Sequence, residues 1–182
     1  MTAWHLYPPA LHDDTVLRAV IITVLESVHR PRFIGQLASN LALPVMIHSL
    51  RRVGFWRICM VLTPWMLAYL LLPDQDPGLA VPDHLTTEGA NAADMLGPVI
   101  SFTLLGTQHK AHLNFDPQLG HYLLQPLILG MDRYTDAKAV FIAWDHFVVT
   151  RMAAAKRSKR SSREQQETIS RRELLAYLIR YQ

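Results

Sequence analysis

An α+β fold is what the sequence predicts, a mainly antiparallel sheet flanked by helices and followed by a basic C-terminal tail. Three observations carry it. Apolar residues recur at three- and four-residue spacing near the N-terminus and again over 140–148. Between those segments lie short apolar runs bounded by glycine, proline or polar residues, as strands are. From Lys156 onward the composition changes to clustered Lys, Arg and Ser.

Asp13, Asp14 and Thr15 offer capping oxygens ahead of Leu17, Val20, Ile21, Val24 and Val28, so an amphipathic helix is expected up to Pro31. The runs 43–50 and 55–62, separated by Arg51-Arg52-Val53-Gly54, read as a β-hairpin with Gly54 in the turn. In Thr63-Pro64-Trp65-Met66 the threonine can cap a helix and the proline suits a first helical position, which predicts a short helix from Pro64 to about Leu72. Pro73-Asp74-Gln75-Asp76-Pro77-Gly78 ends it and opens a long loop to about Leu96.

Val99 to Leu105 and Gly120 to Leu127 read as strands, with His112 to Phe115 as a third. Thr135 and Asp136 then introduce a helix with Val140, Phe141, Trp144, Phe147 and Val148 on one face, expected to cover the sheet and end near 152–155. Residues 156–163 are too polar and like-charged to bury, and Ser170 with Glu173 forms a capping box for a short terminal helix. The expected organisation is one α+β binding domain over 1–155, then a basic linker and terminal helix over 156–182.

The 182 residues are 50% hydrophobic with a mean hydropathy of +0.10, which suggests an apolar surface kept for a partner. Residues 151–182 hold nine of the 18 Lys/Arg and three of the 15 Asp/Glu, a charge of +6, so residues 1–150 carry −3. The basic pI therefore belongs to the tail, and a nucleic-acid-binding core is not expected. The longest apolar stretch, 58–72, is interrupted by Pro64 and shorter than the roughly 20 residues of a membrane span. Cys59 is the single cysteine, which rules out an internal disulfide or a Cys-x-x-Cys centre in this chain. A start without a basic segment ahead of an apolar one predicts no secretory signal, and a cytoplasmic location follows as the expectation.

Residues 58–73, ICMVLTPWMLAYLLLP, resemble the most characteristic segment of the HybE/HupJ family of nickel-iron hydrogenase assembly chaperones. Further agreements are Asn40 with Leu43, Gly120 with Leu123, Leu124 and Pro126, and the terminal Ser170-Arg171-Arg172-x-Leu174-Leu175. Two positions depart from the family pattern: Gln125-Pro126 stands where Ser-Pro is usual, and Gly97-Pro98 where Pro-x-Gly is usual. The resemblance implies an accessory chaperone that binds a hydrogenase structural subunit, either the small-subunit precursor with its twin-arginine leader or the immature large subunit, before assembly and export. It implies no cofactor and no catalytic activity. A rubredoxin-like partner would be a separate protein, because Cys59 alone cannot hold its iron.

The partner-binding candidates are Thr63, Pro64, Trp65, Met66, Pro73, Gly120, Pro126, Arg171 and Arg172. Trp65 reads either as an aromatic anchor in a groove or as core, and Met66 faces the same choice. Arg171-Arg172 resembles a twin-arginine motif at the wrong end of a chain, or else the basic face of a terminal helix. His109 and His112 could approach a metal but lack a third ligand at fixed spacing. Asp145 and His146 are neighbours that a helix turns about 100° apart, so their spacing makes no acid/base pair. The competing classes are an enzyme built on those two residues and a protein whose basic tail meets a membrane surface.

Overall fold

Leu17, Ile21, Val24 and Leu25 share one helical stripe, and in the computed structural model all four are buried on helix α1, Asp14–Arg32. Its start is capped as expected, with Asp13 Oδ1 accepting from the Thr15 and Val16 N–H groups at 2.7 and 3.0 Å. The structure describes residues 3–32, 39–82, 85, 96–151, 153 and 154. Contacts divide the chain into two compact units, Met1–Val140 and Phe141–Gln182. The predicted tail and terminal helix lie outside the described residues.

Six antiparallel strands form the sheet of the first unit. They are β1 (Met46–Val53), β2 (Trp56–Leu62), β3 (Met66–Pro73), β4 (Val99–Leu104), β5 (Thr107–Asp116) and β6 (Gly120–Leu129). The order β1-β2-β3-β6-β5-β4 joins two three-stranded meanders along β3 and β6 and leaves β1 and β4 at the edges. Trp56, Ile58, Leu71, Leu113, Leu123, Ala111 and Phe102 form a core on one face, closed by Trp4 from the N-terminus and Val81 from beyond β3. The opposite face carries Arg57 and Cys59 toward α1, where Arg57 meets Asp14 at 3.2 Å.

The expected helix from Pro64 to Leu72 is not formed, since Met66–Pro73 is strand β3. β3 is paired on both sides and buried along almost its whole length, so its sequence MLAYLLLP needs no polar face. An unbroken apolar run has neither a strand period nor a helix period, and partners decide between them. Expected strand 112–115 is the end of the longer β5, and the Gly54 turn stands as read.

Helix α2 spans 137–151, with Asp136 Oδ1 accepting from the Ala139 N–H at 2.8 Å. Within the second unit Trp144 and Phe147 stack at 5.6 Å and Arg151 lies over the Phe147 ring. No helix among the described residues is long and apolar enough to cross a membrane.

Candidate functional site

Thr63, Pro64, Trp65 and Met66 form the β2–β3 turn, and all four are buried. The Thr63 N–H donates to the Met66 carbonyl at 2.9 Å, closing a two-residue hairpin loop of Pro64 and Trp65. Thr63 Oγ1 accepts from the Met66 N–H at 3.0 Å, so the threonine uses its capping chemistry on a turn instead of a helix. Trp65 is 6% exposed, which is the core reading rather than the open anchor.

Asn40 holds this turn in place. Its N–H donates to the Pro64 carbonyl at 2.8 Å, and its Nδ2 donates to the Met131 and Tyr134 carbonyls beyond β6. One residue, through its backbone N–H and its side chain, thereby ties the β2–β3 turn to the exit of the sheet. Leu43, the second residue of that resemblance, donates its N–H to the Asn40 carbonyl and is buried.

Pro73 is buried at the end of β3 opposite Trp56, and Pro126 is half-buried in β6 opposite Ala68. Gly120 opens β6 at φ +66°, and a Cβ there would meet the His5 carbonyl oxygen at 2.4 Å. Only glycine permits that approach. Next to it the His121 N–H donates to the His5 carbonyl, and the His5 N–H donates to His121 Nδ1 at 2.8 Å. The proton of neutral His121 therefore sits on Nε2, 3.2 Å from the Leu85 carbonyl. His121 is 1% exposed, and this burial, with His5 beside it, holds its pKa below the ordinary histidine value. Arg171 and Arg172 lie outside the described residues.

A second structural hub was not anticipated from the sequence. Arg57, whose side chain is 5% exposed, donates to the Leu11 carbonyl at 2.9 Å and the His12 carbonyl at 2.5 Å, and faces Asp74 at 3.4 Å. Asp74 also pairs with Arg52 and accepts from the Tyr7 hydroxyl. The signal was a lone arginine in an apolar run, since a buried charge requires dedicated partners. The shallow depression lined by Asp14, Leu50, Arg51, Arg52 and Arg57 gathers three guanidinium groups, which do not exchange protons at neutral pH.

His109 and His112 are not brought together. His109 packs against Phe102, whereas His112, an odd number of residues further along β5, faces the other way and bonds through Nδ1 to the Gly97 carbonyl at 2.7 Å. Among the described residues no three His, Cys, Asp or Glu side chains are grouped to hold a metal. Gly97 itself is pressed against β5, where a Cβ would fall 1.9 Å from the Leu113 carbonyl oxygen.

Exposed large apolar residues are scattered over the described residues, and two of them, Val99 and Leu105, lie on the β4–β5 hairpin. Leu105 and Gly106 form the two-residue β4–β5 turn with φ +49° and +75°, the left-handed pair of a type I′ hairpin. Asparagine, aspartate or glycine suits the first of these positions, yet leucine occupies it and is 83% exposed. Val99, at the other end of β4, is 58% exposed. Lys110 is the single Asp, Glu, Lys or Arg between Leu96 and Phe115.

A sheet braced by buried polar hubs, with an uncharged strand at one edge, has the build of a binding module. The family model for [NiFe]-hydrogenase assembly chaperones, HybE, matches residues 17–177, and the chain belongs to that family. A solution structure of HybE from Escherichia coli is similar over 76% of this chain and 75% of that one, at 14% identity and a TM-score of 0.48. No curated protein matches.

Proposed function

We propose that this assembly chaperone acts in the cytoplasm by reversible capture of a hydrogenase structural subunit, the small-subunit precursor with its twin-arginine leader or the immature large subunit. Capture uses apolar and backbone contacts and no ATP. The observation that supports it is the β4–β5 hairpin, where a strained turn keeps a leucine 83% exposed. Such an arrangement costs stability in the free protein and gains its use when a partner covers it.

Thr63, Pro64, Trp65, Met66, Pro73 and Gly120 serve in this reading as positioning residues that keep the sheet rigid, and half-buried Pro126 is the one of the β6 pair able to touch a client. Arg171 and Arg172 would imitate or compete with a client's paired arginines, since a guanidinium makes bidentate contacts that lysine reproduces poorly. Co-purification from hydrogenase-expressing cells, with mass spectrometry of the retained subunit, tests the reading. Recovery of a precursor subunit, weakened by Leu105→Asn, is the expected result, and recovery of no hydrogenase subunit overturns it. Replacing Arg171 and Arg172 by lysine, beside deletion of 156–182, tests the tail: an unchanged affinity in both ends the mimicry idea.

A further inference from the structure

Backbone direction in β4 follows from two facts. The Leu113 N–H donates to the Pro98 carbonyl at 2.9 Å, and Leu104 pairs with Thr107 across a two-residue turn. Bonded and non-bonded pairs alternate in an antiparallel ladder, so Ile100, Phe102 and Leu104 turn their amides toward β5. Val99, Ser101 and Thr103 turn theirs outward. β4 is the terminal strand of the sheet, and among the described residues nothing pairs with this side.

Exposed strand edges are normally guarded by charge, proline or irregular pairing. The opposite edge has such guards: β1 exposes His48, Arg51 and Arg52, and its register shifts between Ile47 and Ser49. β4 has none of them. Its sequence VISFTL is uncharged, free of proline and rich in strand-forming residues, with six residues in continuous register on β5.

We propose that the outer edge of β4 is a docking strand to which an extended, uncharged segment of the client adds by antiparallel pairing. The inference rests on the chaperone reading and specifies its contact. Outward N–H and C=O groups of Val99, Ser101 and Thr103 bind any extended backbone, which suits a client segment that has not folded. Alternate client side chains lie beside half-buried Ile100 and Leu104 on one face and beside Val99 on the other. A charge there would be desolvated against apolar neighbours, and a proline opposite an outward carbonyl would lack the donor. Area favours a client over a second copy: one added strand covers on the order of several hundred Å2, short of the roughly 1,200 Å2 where stable interfaces begin, and fits transient capture.

The probe is a synthetic peptide of alternating valine and serine with a lysine at each end for solubility, titrated into the full chain. Hydrogen exchange at Val99, Ser101 and Thr103 should slow on binding while β1 amides do not change. Thr103→Pro removes an outward donor outside the β4–β5 ladder, so it should leave the melting temperature unchanged and weaken binding roughly tenfold. Ser101→Lys provides the same test by charge should the proline variant misfold. A peptide N-methylated at every residue keeps its apolar groups but has no N–H on either edge, and should not bind.

Equal binding of the methylated peptide, protection at β1, or undiminished affinity in both variants overturns strand addition. Concentration-dependent protection of 99–103 without peptide overturns the client as occupant in favour of a second copy. Subunit precursor bound equally by wild type and Thr103→Pro removes the edge but leaves the chaperone reading standing. Peptide binding with no precursor binding does the reverse.

Discussion

The β1–β2 and β4–β5 hairpins are built on similar two-residue turns and put to different uses. Gly54 takes the left-handed conformation in the first without strain, and Leu105 takes it in the second where glycine would be easier. Every residue of β2 is buried, and β1 carries its charges outward. β5 leaves Thr107, Gln108 and Lys110 exposed, and β4 exposes an uncharged edge. The first meander is organised for stability, its polar groups spent on holding turns and termini. The second leaves apolar surface available. An exposed leucine is ordinary by itself; combined with backbone strain and an unguarded edge it marks a contact surface.

The largest test of this contrast is Trp65→Ala, which empties the buried β2–β3 turn and should cost about 3–5 kcal/mol. A large fall in melting temperature is expected, and an unchanged one would mean that the turn is not part of the core. Next comes Arg57→Ala, which takes the donor from the Leu11 and His12 carbonyls and leaves Asp74 to Arg52 and Tyr7, and should cost about 3 kcal/mol in urea unfolding. Tyr7, whose hydroxyl pKa is raised by burial and by Asp74, should then become accessible to iodination.

His121 extends the comparison to pH. Its folded pKa lies below the unfolded value near 6.5, so the unfolded chain takes up its proton first as pH falls. The stabilisation is complete above that value and is lost progressively as pH drops through the folded pKa. Thermal melts should therefore decline from pH 7 to pH 5, and His121→Gln should flatten that slope; an equal slope in the variant would place the titrating group elsewhere.

Leu105→Asn has the smallest effect on stability and the opposite sign. Asparagine tolerates the left-handed conformation and removes an exposed apolar side chain, so the variant should gain about 1 kcal/mol in urea unfolding while capturing subunit precursor less well. Lower stability together with full capture would erase the distinction between the hairpins.

How much of this was legible depended on the range of each interaction. Asp13 and Asp136 announced their helices, and Gly54 its turn, because capping and left-handed turns act within a few residues. Segment 58–73 and its companions carried the family resemblance before any geometry was known. The same segment misled as to its structure, since Thr63-Pro64 serves a helix start and a hairpin equally well and the apolar run after it has no period. Asn40 was noticed as a residue but not as the clamp on Pro64, Met131 and Tyr134, which lie far away in sequence.

By itself, then, the sequence determined the fold class, most element positions and the family. Tertiary structure decided that 66–73 is a strand, because β2 and β6 cover both of its edges. It also decided that Gly120 and His121 receive the N-terminal segment, and that β4 lies at the sheet's margin. Strand order depends on the pairing of β3 with β6, which joins residues more than fifty positions apart, and a contact that distant leaves no period, cap or turn residue in the local sequence.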